Sequence, residues 1–403
     1  MCQPDPGGMM PNRGIVVVGG SLAGARAVES VRRAGFAGKV TLIEAGEHEP
    51  YDRPPLSKEY LASEIGTRPP KLLDADAISE LDLDLRCGER AVELDSTAKI
   101  LRTSNSEYPY ERLLVATGAS ARQLEVPGSD LRGIHYLRSL DDAISLRASI
   151  GAARRAVVVG AGFIGMEVAS SLLSLGLAIT VLERESTVFP SLGTDLGDAA
   201  ARRLTQAGGI LEVGVVVDGF AGVRDLAGVL LSDGRVLKAD IAVVGVGATP
   251  NIAWLAESGV ATENGVVCSA TLESNVPGVY AAGDVANWPS RRFGERIRVE
   301  HWTNAVMQGV TAGHNLAGKA TQMEFDDVPY FWSDFLGTRI QVAGRLNKWD
   351  ECRQVASDET GHVNVFAFDG RIVAVAALDA RRHFSRSRRL IGEKVASLTE
   401  LPR

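Results

Sequence analysis

Two apolar strands, each running into a glycine-rich turn, a helix and a second strand that ends in an acid, predict an α/β chain with two Rossmann-like nucleotide-binding domains. A differently patterned C-terminal segment adds a smaller α+β domain. In the first copy, the apolar run 15–18 leads into Gly19, Gly20, Ser21, Leu22, Ala23 and Gly24. In the second, the run 157–159 leads into Gly160, Ala161, Gly162, Phe163, Ile164 and Gly165.

The physical demand on such a turn is specific. Backbone N–H groups at the start of a helix face a pyrophosphate, and small residues let the phosphates approach. Ser21 stands at the middle glycine position of the first turn, where its hydroxyl can also donate to a phosphate. Each copy then supplies its acid: Glu44 after the run 40–43, and Glu183 after the run 179–182. A carboxylate there accepts both ribose hydroxyls of an adenosine. Short glycine patterns arise by chance, but here strand, turn, helix, strand and acid all recur, so two dinucleotides are expected.

At 403 residues the chain exceeds one ordinary hydrophobic core. Its composition, 45% hydrophobic and 23% charged with a net charge of −7, is that of a globular protein and argues against a nucleic-acid binder. Residues 1–12 hold Pro, Gly and polar groups without the apolar stretch of a leader, and a frayed N-terminus and a cytoplasmic location are expected. No run is apolar and long enough for a membrane span.

The cysteines Cys2, Cys87, Cys268 and Cys352 are far apart, with no paired spacing. A redox-active dithiol beneath a cofactor needs two thiols near one another. Cys87 and Cys268, in short apolar stretches, read as core residues. Neither cysteines nor histidines cluster at metal-ligand spacing, so no metal is expected.

Helices are expected over 26–33 and 166–175, with a buried strand over 113–116 and short β-like runs over 211–217, 229–231 and 241–244. Breaks near 120 and near 247 divide the chain. The run 279–281 ends in Gly283-Asp284 and returns the chain to the first domain. The division is thus 13–120 with 248–324 for a discontinuous first domain, 121–247 for the second and 325–403 for the C-terminal domain.

Several motifs are more specific. They are Tyr51-Asp52-Arg53-Pro54-Pro55-Leu56-Ser57-Lys58, Ala116-Thr117-Gly118-Ala119, Gly160 through Glu167, Gly245-Val246-Gly247-Ala248-Thr249-Pro250-Asn251, Ala282-Gly283-Asp284-Val285-Ala286 and Tyr330-Phe331-Trp332-Ser333-Asp334. Together they make the chain resemble the FAD-dependent pyridine-nucleotide oxidoreductases of glutathione reductase-like fold, and within them the ferredoxin reductases of oxygenase systems.

That resemblance implies FAD on the first domain, held by Gly19, Ser21, Leu22, Ala23, Gly24, Glu44, Thr117, Gly118, Gly283 and Asp284, with Asp284 on a ribityl hydroxyl. Arg53 and Arg122 are candidates for the flavin's polar parts or pyrophosphate, and Trp302 and Trp332 lie near the flavin. NADH belongs on the second domain, at Gly160, Gly162, Phe163, Ile164, Gly165, Glu167, Glu183 and Gly247. Lys58 and Glu167 form a catalytic pair at the flavin's reactive edge, the cation favouring the reduced, anionic ring and the carboxylate holding the lysine. Trp332 either shields the flavin and shortens the gap to an electron acceptor or packs in the core. Glu300 and His301 are assigned to packing or flavin support.

Glu183 also bears on cofactor choice, since a carboxylate that accepts a 2′-hydroxyl repels a 2′-phosphate. NADH is preferred over NADPH, with the neighbouring Arg184 as the complication. Two arginine-rich segments, Arg291, Arg292, Arg296 and Arg298, and Arg381, Arg382, Arg386, Arg388 and Arg389, suit an acidic partner such as a [2Fe-2S] ferredoxin, or form solvated faces. The expectation is an NADH-dependent ferredoxin reductase serving a P450 or ring-hydroxylating oxygenase, as monomer or homodimer. Rubredoxin reductase, NADH oxidase and a partner-binding flavoprotein that senses NADH remain alternatives.

Overall fold

The computed structural model describes residues 13–63, 66–357 and 361–395. The N-terminal segment expected to fray, with Cys2, lies outside the described residues. The chain divides into two compact units. The first comprises Met1–Asp52, Pro70–Ala119 and Pro250–Asp327; the second comprises Arg53–Pro69, Ser120–Thr249 and Val328–Arg403.

In the first unit, Leu83–Arg86, Val40–Ile43, Gly14–Val18 and Glu107–Val115 lie side by side in parallel, with Val279–Ala281 also parallel to Glu107–Val115. Every residue of Gly14–Val18 and of Val40–Ile43 is buried, as expected of interior parallel strands covered on both faces. The first helix is longer than its apolar pattern indicates. It spans Leu22–Arg33, with Ser21 as N-cap, because the glycine turn feeds straight into it.

Helix Trp302–Leu316 packs on Leu22–Arg33 at very short range. A side chain at Gly309 would put its Cβ 2.4 Å from the carbonyl oxygen of Ala23, and one at Gly313 would lie 2.3 Å from that of Ala27. The two backbones therefore touch, and Ser30 Oγ donates to the Val310 carbonyl across the same contact at 2.7 Å.

The second unit holds a five-stranded parallel sheet in the order Ile210–Val213, Ala178–Glu183, Arg155–Val159, Ile241–Val244 and Ile134–Tyr136. Helix Phe163–Ser174 follows Arg155–Val159, again starting at the glycine turn and earlier than its apolar pattern alone predicts. The run expected over 211–217 is interrupted. Gly214, with φ of 68°, turns the chain between Ile210–Val213 and Val217–Gly222, and the latter begins a separate antiparallel meander with Leu226–Leu231 and Val236–Lys238.

The same unit contains a five-stranded antiparallel sheet in the order Tyr330–Phe335, Thr338–Gly344, Arg371–Leu378, His362–Phe368 and Glu351–Ser357. Arg371–Leu378 is buried at seven of its eight residues, so this sheet is covered on both faces. Phe163 joins it to the nucleotide module, lying 4.7 Å edge-on from Phe331 and 4.9 Å from Phe189 between ring centres. Backbone polarity is matched there too: Leu336 N donates to Ser170 Oγ at 2.9 Å.

Among the described residues no helix is long and apolar enough to cross a membrane, and no group of three or more His, Cys, Asp or Glu side chains converges on a metal position. Cys87, Cys268 and Cys352 are free thiols. Cys268 is buried as expected, whereas Cys87 is only half-buried, with its thiol against the His48 carbonyl.

Candidate functional site

The predicted groups of the first unit gather at the C-terminal ends of its parallel strands. That is where ligands enter open α/β sheets. Gly19 follows Gly14–Val18, Thr117 follows Glu107–Val115, and Gly283 follows Val279–Ala281. Gly19 has φ of 110°, and a Cβ on Gly24 would stand 2.0 Å from the Gly19 carbonyl oxygen. Both positions therefore need glycine for this turn to close. Ser21 caps the helix through backbone geometry only and makes no side-chain capping bond.

Glu44 is tied to the turn as well as to the strand end. Its Oε2 accepts from Gly20 N at 2.7 Å and its Oε1 from Gly46 N at 2.9 Å. Thr117 Oγ1 donates to the Asn251 carbonyl at 2.8 Å, and Asn251 Nδ2 donates back to the Thr117 carbonyl at 2.9 Å. Trp302 Nε1 donates to Asp52 Oδ1 at 2.9 Å, which anchors the start of Trp302–Leu316.

The next helix turn carries residues that the sequence motifs leave unassigned. Gln308, fully buried, accepts from Gly283 N through Oε1 at 2.9 Å, while its Nε2 has no partner among the described residues. Asn304 is 3% exposed, and neither Oδ1 nor Nδ2 is hydrogen-bonded among the described residues. A buried amide with both ends unsatisfied is costly, and it signals a polar ligand completing the bonds. With the open helix N-terminus at the glycine turn and the ribose-type acid Glu44, the unit fits a dinucleotide with a polar ring edge, as FAD has. His301 precedes Trp302–Leu316. Burial pushes its imidazole down to about 4, against a weaker opposing effect of Asp284, so the ring is neutral at pH 7.

The second unit repeats the device. Gly160 has φ of 101°, and a Cβ on Gly165 would meet the Gly160 carbonyl oxygen at 2.0 Å. Glu183 Oε2 accepts from Ala161 N at 2.7 Å, the counterpart of the Glu44 to Gly20 bond. Nothing lies within 4 Å of a Cβ placed on Gly162, and Ile164 is exposed at the helix start, so the face above the turn is open. Arg184 is engaged with Glu185, its Nη2 3.0 Å from Oε1. Arg122 N–H donates to the Gly247 carbonyl at 2.9 Å, and its guanidinium lies next to Gly247, a residue of the nicotinamide motif. Arg53 Nη1 reaches the Arg138 carbonyl at 3.4 Å.

Lys58 and Glu167 meet as expected. Lys58 Nζ lies 2.8 Å from Glu167 Oε2 and donates to the Pro54 carbonyl at 3.2 Å. Glu167 is not a solvated helix glutamate: it is 7% exposed, and it also accepts from Ser57 and Ser333. These serines sit inside the quoted motifs, but nothing in their spacing marks them as partners of Glu167. Trp332 is half-buried on Tyr330–Phe335, with Tyr330 6.0 Å away between ring centres.

The two arginine-rich segments differ. In the first unit Arg291 pairs with Glu324 at 2.6 Å, Arg296 donates to the Cys268 and Asn287 carbonyls, and Arg298 is committed to Glu300 and the Asp284 carbonyl, both at 2.8 Å. Arg291, Arg292 and Arg296 are nevertheless exposed, and Arg298 is half-buried. In the second unit Arg381, Arg382, Arg386, Arg388 and Arg389 are all exposed, and none is paired with a carboxylate among the described residues. Arg388 stacks over Tyr330, 5.3 Å from the ring centre.

This pair of glycine turns with an antiparallel C-terminal domain is the architecture of the glutathione reductase-like oxidoreductases. Residues 13–309 match the model of the pyridine nucleotide-disulphide oxidoreductases and residues 330–400 that of the reductase C-terminal domain. The chain belongs to the pyridine nucleotide-disulphide oxidoreductase family. It is 34% identical to the benzene 1,2-dioxygenase system ferredoxin–NAD(+) reductase subunit of Pseudomonas putida, over 94% of this chain and 93% of the relative. Among solved structures, the ferredoxin reductase for the CYP199A2 system of Rhodopseudomonas palustris superposes with a TM-score of 0.87 at 32% identity, covering 93% of this chain and 94% of the other. The reductase in the covalent putidaredoxin reductase–putidaredoxin complex gives 0.88 at 26% identity, covering 95% and 94%.

Proposed function

We propose that this chain is an NADH-dependent reductase that holds FAD and serves an acidic [2Fe-2S] ferredoxin, which in turn feeds a P450 or ring-hydroxylating oxygenase. The single observation that carries the reading is the pairing of Lys58 with the buried Glu167 in the unit that bears the acid-ended nicotinamide turn. Its similarity to reductases of dioxygenase and P450 systems supports the class of partner. In this reading 13–120 and 248–324 bind FAD, 121–247 binds NADH, and 325–403 forms the C-terminal domain.

When bound, FAD takes a hydride from reduced nicotinamide and gives up electrons singly to the carrier. The chain's own residues supply position and field. The helix N-termini at Leu22 and Phe163 offer N–H groups to the two pyrophosphates. Glu44 and Glu183 accept from the adenosine riboses with the lone pairs left over from their backbone bonds. Asp284, Asn304 and Trp302 hold the flavin's polar side, with Arg53 as a further candidate for it. Lys58 places a cation at the flavin edge, with Glu167 as its counter-ion; neither needs to transfer a proton.

Glu183 favours NADH, because the engagement of Arg184 with Glu185 leaves the acid as the charge facing the ribose. The exposed arginines 381–389 are the face that steers the ferredoxin, and Trp332 lies on the electron path. The test is an anaerobic titration of the flavin-loaded protein with NADH, followed by addition of a [2Fe-2S] ferredoxin. Bleaching by NADH and rapid recovery on ferredoxin addition support the reading. Recovery with oxygen alone, at the same rate, identifies an oxidase instead.

A further inference from the structure

Around Glu167 three donors from two separate segments converge on one carboxylate. Oε2 receives Lys58 Nζ at 2.8 Å and Ser57 Oγ at 2.6 Å, and Oε1 receives Ser333 Oγ at 2.6 Å. Ser57 closes the short turn Pro54–Ser57, Glu167 lies on Phe163–Ser174, and Ser333 lies on Tyr330–Phe335. The contact is dry: Glu167, Ser57 and Ser333 are 7%, 6% and 1% exposed. Ser171, one turn beyond Glu167 on the same helix, donates through Oγ to the Ser57 carbonyl at 2.7 Å, so the helix grips Ser57 at two points.

A carboxylate that holds only an ammonium group can rotate about its last torsion, which is a broad rotor, and a lysine is the most mobile of partners. With a hydroxyl fixed at each oxygen the plane is set. A buried serine needs an acceptor somewhere, so a single such bond would be ordinary packing. Two from unconnected segments on the two oxygens of the one acid that holds Lys58 are a clamp.

We propose that Ser57 and Ser333 are positioning residues that fix the carboxylate plane of Glu167 and thereby hold Lys58 Nζ in one place for hydride transfer. The proposal rests on the reading of Lys58 and Glu167 given above. Ser57→Ala, Ser333→Ala, the double variant and Ser333→Thr are compared with wild type and with Glu167→Gln. Two quantities are read. One is the rate at which Lys58 is acetylated by acetic anhydride, followed by peptide mass spectrometry in flavin-free and flavin-loaded protein. The other is the stopped-flow rate of flavin reduction, separated from the apparent Kd for NADH.

Loss of charge-assisted bonds of this kind is expected to speed Lys58 acetylation about tenfold in the double variant and to slow reduction about tenfold, with Kd for NADH unchanged. Ser333→Thr, which keeps the hydroxyl, restores both. Unchanged acetylation and reduction in a folded, flavin-loaded double variant overturn the clamp; if that variant does not load, the same two readouts on the single variants decide. If Glu167→Gln slows reduction while the serine variants do not, only the clamp fails. If Glu167→Gln itself leaves reduction unchanged, the underlying reading of the pair fails.

Discussion

Lys58 Nζ sits 2.8 Å from Glu167 Oε2, and the carboxylate is buried while the lysine remains a quarter open to solvent. The relationship is asymmetric: the acid is fixed and the cation is aimed. Replacing Lys58 by Met keeps the stem and removes the charge. Flavin reduction by NADH is expected to slow between about tenfold and a hundredfold, with little change in NADH affinity, as for loss of a preorganised electrostatic group. Stopped-flow absorbance of the flavin against NADH concentration measures both.

Glu183 is expected to set nicotinamide selectivity. Glu183→Ala removes the ribose acceptor, the charge that repels a 2′-phosphate and the bond to Ala161 N together. The KM for NADH should rise about tenfold and the gap to NADPH should narrow. Steady-state kinetics with both nucleotides check this; a wild-type preference for NADPH contradicts the role given to Glu183.

Asn304 separates ligand binding from folding. Its buried amide has no partner among the described residues, so Asn304→Leu should leave the melting temperature of flavin-free protein unchanged or higher while weakening FAD retention about tenfold. Calorimetry of the flavin-free form and fluorescence titration with FAD report the two effects. A lowered melting temperature with normal FAD affinity makes the residue structural.

The exposed arginines and the engaged ones should respond differently to charge reversal. Arg382→Glu with Arg386→Glu is expected to leave NADH reduction unchanged and to slow ferredoxin turnover steeply at low salt, with the difference vanishing as salt screens it. Arg296→Glu, by contrast, strands two carbonyls and a charge in a partly buried place and should lower stability. A salt series of coupled turnover, with melts of each variant, distinguishes them.

His301 gives a pH dependence with a definite sign. Its value falls from 6.5 to about 4 on folding, so between those values the unfolded chain binds the extra proton. The contribution to stability is complete above about pH 6.5 and is lost progressively as pH falls towards 4, on the order of 3 kcal/mol in all. His301→Gln should flatten the stability of flavin-free protein over this window; buried His135, also lowered, keeps some slope. Denaturant melts from pH 4 to 7 provide the comparison.

The nucleotide modules were legible because their glycines and acids act locally: Gly24 must clear the Gly19 carbonyl, and Glu44 must follow its strand. The Lys58–Glu167 pair could be anticipated only through resemblance, since no spacing rule joins residues so distant in sequence. Ser333 and Asn304 carried no signal, because a buried serine or amide in a motif looks the same whether it faces a carboxylate, a ligand or a carbonyl. The arginines 291–298 show a related gap. Charge clustering along the chain does not reveal that Arg296 turns inward to backbone carbonyls while Arg386 stays in solvent.

The most direct measurement is the pair of half-reactions on one sample. Flavin-loaded protein is reduced anaerobically with one equivalent of NADH, then mixed in a stopped-flow instrument with an acidic [2Fe-2S] ferredoxin of an oxygenase system. The account predicts flavin reduction by NADH in preference to NADPH, followed by flavin reoxidation matched by two equivalents of reduced ferredoxin per flavin. A protein that retains no FAD, or a reduced flavin that persists with the ferredoxin and reoxidises only when oxygen is admitted, contradicts it.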